Sequence, residues 1–290
     1  MKHLRNLPLK NYCTYRIGGQ ARDVYFPECV DEMVEIVRLH RAQARPFWIH
    51  GGGANTLFPD GDIRLPIIST SEMTATARNG STVVAEAGKV MDAWVLEQLR
   101  EGLGGIECLS GIPGTLGGAL FMNAGAYGHE ISDHLESVTV LTPDSRVMDI
   151  PKAECGFGYR RASALRDTVI LSGTWNLPLA DPQTLLATRK EILARRKEKQ
   201  PLEFPSAGSV FKRPEGAYAS QLIDQAGLKG ARVGGAQISE KHAGFIVNVG
   251  DATCQDVLEL VELCRQTVRE RFGYELELEQ CLCPFCPDHE

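Results

Sequence analysis

Between Cys108 and Gly128 the chain carries no charged side chain, yet Gly111, Pro113, Gly114, Gly117, Gly118, Gly125 and Gly128 interrupt it. By length such a stretch can cross a bilayer, but this density of glycine, with Pro113 and Asn123, makes it a loop-rich segment instead. Backbone N–H groups exposed in a glycine-rich turn form a concavity for anions, because the missing Cβ atoms let a phosphate reach the main chain. A second such loop, Gly51-Gly52-Gly53-Ala54-Asn55, follows the apolar run at residues 47–50. Neither loop has the Gly-Lys-Ser/Thr of a P-loop or the GxGxxG that opens a dinucleotide-binding helix. Two of them in one predicted domain point to a large diphosphate-bearing cofactor.

The spacing of apolar residues places helices and strands around these loops. Met33, Ile36, Val37 and His40 form one stripe of a helix over residues 31–40, and residues 91–99 and 220–226 repeat that period. Strands are predicted over residues 47–50, 66–68, 82–87, 169–175 and 245–249, with a hairpin joining 138–141 to 147–150. A helix over 182–199 ends at Gln200-Pro201, and a long one over 254–272 has Thr253 as N-cap and Gly273 beyond its end. The expected class is α+β, with residues 1–199 as one domain divided near residue 75, residues 200–280 as a second, and 281–290 as a cysteine-rich tail.

A net charge of −6 argues against a nucleic-acid partner, and the basic run at 189–199 reads as a solvated helix face. The first twelve residues lack the apolar core of an export signal, and no membrane anchor is expected. Nine cysteines, an odd number, read as reduced thiols of a cytoplasmic protein.

Six motifs in order narrow the reading: Arg16-Ile17-Gly18-Gly19, the loop at 51–55, the segment 110–128, Cys155-Gly156-Phe157-Gly158-Tyr159-Arg160, residues 205–212 (PSAGSVFK) and residues 235–248 (GAQISEKHAGFIVN). Together they resemble the UDP-N-acetylenolpyruvoylglucosamine reductases, from about Asn11 to Glu279, in the shorter of that family's two types. The resemblance implies an FAD-binding domain of the vanillyl-alcohol-oxidase (PCMH) type followed by a substrate-binding domain, with FAD bound non-covalently, NADPH as reductant, a UDP-sugar as substrate and a monomeric enzyme. It implies cofactor contacts from Arg16, Gly18, Gly51, Gly52, Gly53, Asn55, Ser110, Ile112, Gly114, Thr115, Gly118, Asn123 and Gly125.

Reduction of an enolpyruvyl ether adds hydride to the CH2 carbon and builds negative charge on the neighbouring carbon and its carboxylate. One protein group has to stabilise that charge, for which an arginine fork suits a carboxylate, and another has to protonate the carbon. By resemblance, Arg160 is the arginine, Ser209 the proton donor and Glu279 the third catalytic position, with Glu277 the alternative to Glu279. Ala162 stands where the family has a serine, with Ser163 next to it. Lys212, Arg213 and Gln237 are candidate contacts to the UDP diphosphate. His242, beside an apolar strand, reads as structural.

Two rival readings remain open: another FAD oxidase of the same fold, and a flavin-binding relative without catalysis. The C-terminal Cys281, Cys283, Cys286 and His289 lie within nine residues. They lack paired CxxC knuckles, so no metal is expected there, zinc being the alternative, and truncation after Gln280 is expected to spare FAD binding.

Overall fold

The computed structural model describes residues 1–284, which divide into two compact units interleaved along the chain. The first unit holds residues 1–3, 24–52 and 67–195, and the second holds 4–23, 53–66 and the chain from Arg196 onward. This differs from the contiguous blocks expected, since residues 4–23 and 53–66 join the C-terminal part. The reason is backbone bonding across long sequence gaps: Gly19 N–H donates to Pro59 O, Ile63 N–H to Gln20 O, and the Thr14 hydroxyl to Ser206 O at 2.6 Å. Buried peptide groups need partners, and these segments find theirs in the second unit.

In the first unit, strands Gln20–Phe26, Ile67–Ser69 and Trp48–His50 pair in parallel, Val24 and Trp48 both flanking Ile67. The predicted stripe of helix Val30–Ala42 is the buried one: Met33, Ile36 and Val37 pack in a cluster with Ile68, Met73 and Leu171, and His40 meets the Tyr25 and Phe47 rings. An antiparallel sheet orders Val147–Pro151, Leu135–Leu141, Val169–Asn176, Thr82–Glu86 and Thr76–Asn79. Helix Met91–Arg100 buries Trp94 against Trp175 of this sheet, ring centroids 4.8 Å apart, and the Trp175 indole N–H donates to Ile131 O. Each fully buried tryptophan contributes about 3–5 kcal/mol when judged by truncation to alanine.

The glycine-rich segment is more regular than expected, because Leu116–Met122 is helical. Thr115 caps it by accepting Gly118 N–H, and Asn123 ends it in the left-handed conformation at φ 44°. A side chain at Gly117 would stand 2.8 Å from Ala87 Cβ, so this glycine lets the helix pack closely. No helix among the described residues is long and apolar enough to cross a membrane.

In the second unit, strands Arg232–Val233, Ala236–Ile238 and Ile246–Asn248 form a small antiparallel sheet against helix Cys254–Phe272. That helix has the expected bounds. Thr253 and Asp256 form a reciprocal capping box, worth about 1 kcal/mol, and Gly273 closes the helix at φ 74°.

The start of the expected tail is built into this unit. Cys281 and Leu282 run parallel to Thr56 and Leu57, the N–H groups of Cys281 and Cys283 donate to Asn55 O and Leu57 O, and burial pushes the Cys283 thiol up to about 12. Cys286 and His289 lie outside the described residues. Truncation after Gln280 is therefore expected to destabilise the protein by about 1–3 kcal/mol, the range for two lost backbone hydrogen bonds at a site that loses a buried side chain. Urea unfolding of the truncated chain measures it, and an unchanged midpoint would show these contacts to be dispensable.

Candidate functional site

In the first unit the two glycine loops are packed backbone to backbone. A Cβ on Gly52 would stand 2.8 Å from Gly114 Cα, and one on Gly51 would stand 2.6 Å from the Thr115 hydroxyl. At Gly52 the two main chains meet directly and at Gly51 only the Thr115 hydroxyl intervenes, so the loops bring their peptide groups close together. Ile112 N–H is used locally on Leu109 O, and Gly111 N–H donates to Asp92. Two buried side-chain atoms of this segment have no protein partner, the Ser110 hydroxyl oxygen and Asn123 Oδ1. A buried polar atom without a bond costs about 1–3 kcal/mol, so both point to a ligand that supplies the missing partners.

Arg160 reaches this segment from a hairpin. Phe157 pairs with Ala162 and Gly158 with Arg161, which leaves Tyr159 and Arg160 as the two-residue turn. Arg160 has a φ of 54°, a conformation that costs a non-glycine residue about 1–2 kcal/mol. The turn is held to the second glycine loop by two bonds: Asn123 Nδ2 donates to Gly158 O at 3.2 Å, and Arg160 Nη1 to Gly125 O at 3.5 Å. Asn123 Nδ2 also donates to Glu130 Oε2. Strain retained at a charged side chain beside a polar cradle is the pattern of a functional position. Ala162 is buried, and the hydroxyl of Ser163 donates to Gly156 O at 3.2 Å, bracing the start of the same hairpin.

In the second unit, the segment holding Ser209 lies between two others. Ser209 bridges Phe245, Val210 N–H donates to Gly244 O, and Val210 O accepts Glu279 N–H at 2.8 Å. Glu279 is fixed from its other end by Asn55, whose side-chain amide donates to Glu279 O at 3.0 Å. Asn55, expected among cofactor contacts, thus spends its amide on the catalytic candidate. Gln280 Nε2 donates to Ala207 O, and Asn248 Nδ2 to Tyr15 O, so both flanks of residues 206–210 are anchored.

Glu277 takes a different part from Glu279: it is exposed and paired with the Lys212 ammonium. Arg213 lies over the Tyr218 ring with its guanidinium carbon 4.6 Å from the centroid, and Gln237 Nε2 donates to Gly230 O. Arg16 adopts φ 55°, and Gly18 lies against Phe58. The structure therefore gathers Ser110, Ile112, Gly114, Thr115, Gly118, Asn123, Gly125 and Arg160 with Gly51 and Gly52. It separately gathers Ser209, Glu279 and Asn55 within the second unit, where Gly53 also lies.

Residues 21–150 match the family described as an FAD binding domain, and residues 200–283 the family described as the UDP-N-acetylenolpyruvoylglucosamine reductase C-terminal domain. The UDP-N-acetylenolpyruvoylglucosamine reductase of Clostridium novyi is 39% identical over 94% of this chain and 90% of its own. That of Alkaliphilus oremlandii is 43% identical with the same coverage. The chain belongs to the UDP-N-acetylenolpyruvoylglucosamine reductase family. The crystal structure of the Thermus caldophilus reductase matches 98% of each chain with a TM-score of 0.83 at 36% identity.

The first unit of this reductase-family chain carries most of the residues matched to the FAD-binding domain, and its residues fit an FAD. The cradle without Cβ atoms suits a diphosphate, and the unpartnered Ser110 and Asn123 atoms offer polar contacts to it. Sequence reasoning missed the residues that act through the site residues: Asp92, Glu130, Thr14 and Gln280 carry no local signal, since each is defined by a partner elsewhere in the chain. The motif around Asn248 was legible, though not its bond to Tyr15.

His242 behaves as a structural group. Its Nδ1 accepts Gly244 N–H, its ring meets Phe245 edge to face at 5.0 Å, and burial lowers its pKa below 6.5. A histidine that binds its proton less readily when folded destabilises the fold as pH falls through its unfolded value. Stability should therefore drop between about pH 7 and pH 5, and His242→Gln should flatten that slope in thermal unfolding. A variant with the wild-type slope would assign the dependence to other groups.

Proposed function

We propose that the chain reduces the enolpyruvyl ether of UDP-N-acetylglucosamine to UDP-N-acetylmuramate, a step of peptidoglycan precursor synthesis, with FAD as bound cofactor and NADPH as reductant. The observation that carries the reading is Arg160, held in strained backbone on a hairpin turn bonded to the loop that forms the cofactor cradle. FAD would be held by Gly51, Gly52, Ser110, Ile112, Gly114, Thr115, Gly118, Asn123 and Gly125, with Arg16, Gly18, Gly53 and Asn55 as the further contacts that the family resemblance assigns. When bound it supplies the hydride, taken from NADPH. The same reading takes the enzyme as a monomer in the cytoplasm, where an odd set of nine thiols stays reduced.

Arg160 supplies fixed positive charge to the substrate carboxylate as electron density moves onto it from the double bond. Ser209 gives its hydroxyl proton to the carbon beside that carboxylate and recovers one from solvent, with Glu279 steadying the exchange. The backbone anchors on both sides of Ser209 keep this donor in place without using its hydroxyl. Lys212, Arg213 and Gln237 would bind the UDP diphosphate by exchanging their present contacts for phosphate oxygens. Regarding the bound partner, acid precipitation of the purified yellow protein is expected to release FAD. Protein that neither carries nor takes up FAD would overturn the flavoenzyme reading.

Ser209→Ala separates the chemical steps. Bleaching of the yellow colour by NADPH needs no proton on the sugar and should change little, whereas return of the colour on adding substrate should slow by at least about 10²-fold. Stopped-flow absorbance follows both. Equal slowing of the two would place the damage at the cofactor, and an unchanged second phase would remove Ser209 from the mechanism.

A further inference from the structure

The run at residues 189–199 reads from sequence as a solvated basic face, but Arg189, which opens it, is only 8% exposed. It lies in helix Pro182–Lys199 and grips Asp92, in the first turn of helix Met91–Arg100, with both arms: Nη1 to Oδ1 at 2.6 Å and Nη2 to Oδ2 at 2.8 Å. Asp92 Oδ1 accepts a further bond, from Gly111 N–H at 2.6 Å. Gly111 follows Ser110 in the second glycine loop and stands at φ 75°. One carboxylate therefore ties two helices to the turn that opens the cofactor segment.

We infer that Arg189 and Asp92 are positioning residues for the cofactor loop, a charge-neutral clamp that fixes the turn at Ser110–Gly111 without repelling the diphosphate. The inference rests on residues 110–114 being part of the FAD cradle. A carboxylate suits an N–H group as its acceptor, and its charged bond is about twice as strong as a neutral one. Placed beside a site for two phosphates, however, the same charge opposes the ligand. Arg189 resolves the conflict: its fork matches the carboxylate, cancels its charge and leaves Oδ1 able to accept Gly111 N–H. Arg189 alone, or Asp92 alone, would leave an uncompensated charge next to the loop, which is costlier than the intact pair. A pair serving only to join the two helices has no use for the third bond to Gly111.

The test is the release of FAD on dilution of the full-length holoprotein, read by the rise of free-flavin fluorescence, alongside the melting temperature of the same chain stripped of FAD. Arg189→Met should weaken FAD binding at least about tenfold, because Asp92 then faces the diphosphate uncompensated. Asp92→Asn combined with Arg189→Met should recover part of that loss, since neighbouring charges act non-additively. A pair that is only structural would lower the melting temperature and leave the dissociation constant at the wild-type value, and that result overturns the inference. So does a double variant that binds no better than Arg189→Met. Should Arg189→Met not fold, Arg189→Lys keeps the charge and loses the fork. A several-fold weaker dissociation constant with altered visible circular dichroism of the bound flavin then supports the clamp, and wild-type values of both overturn it. Wild-type protein that binds no FAD would instead overturn the flavin reading on which the inference rests.

Discussion

Gly52 stands so close to Gly114 that one methyl group on Gly52 would push the two apart. The cofactor cradle of the first unit depends on that contact. The parallel strands ending at His50 deliver one loop, the turn before helix Leu116–Met122 delivers the other, and the sheet and its two tryptophans fix both supports. Main chain meets main chain only where side chains are missing, and the result is a surface of peptide groups suited to an anion. Stability and ligand binding make the same demand on these positions, so the glycines cannot be explained by either alone.

Charge is then added to that neutral frame at two places, by different means. Arg160 is brought in on a two-residue turn in left-handed backbone, strain that is offset by bonds from the second loop and its capping Asn123. Arg189 is brought in on a helix from far along the chain and spends its charge on Asp92. One arginine keeps its charge for a substrate carboxylate in the proposed chemistry, and the other removes a charge that would otherwise oppose the cofactor. The same residue type serves different electrostatic ends, the fork of Arg189 being closed on the Asp92 carboxylate.

The second unit holds its candidate residues by main chain instead. Ser209 and Glu279 are each fixed through backbone groups, with Asn55, Thr14 and Gln280 as side-chain ties. These ties reach the segment through its main chain, so the frame around Ser209 is set by bonds to backbone groups. It also explains why an N-terminal segment belongs to a C-terminal unit: residues 4–23 and 53–66 provide bonds that residues 196–284 cannot supply among themselves.

The sequence by itself determined the elements whose signal is local. The stripe at Met33, Ile36, Val37 and His40, the Thr253 cap with its Gly273 stop, and the hairpin around residues 143–145 depend on neighbours within a few positions, and the structure has them. The ordered motifs from Arg16 to Glu279 likewise marked the family and the residue types its chemistry needs. Only the tertiary structure decided what those residues touch. The helix Leu116–Met122 was hidden because Gly117 answers to Ala87, across the fold, and not to helix propensity. Arg189 read as a surface charge because its partner lies 97 positions away, and Cys281–Leu282 read as a tail because the strand they join is Thr56–Leu57. A periodic pattern reports which face of an element is buried, but the partner that buries it is chosen by chain closure over long separations, which no local pattern encodes.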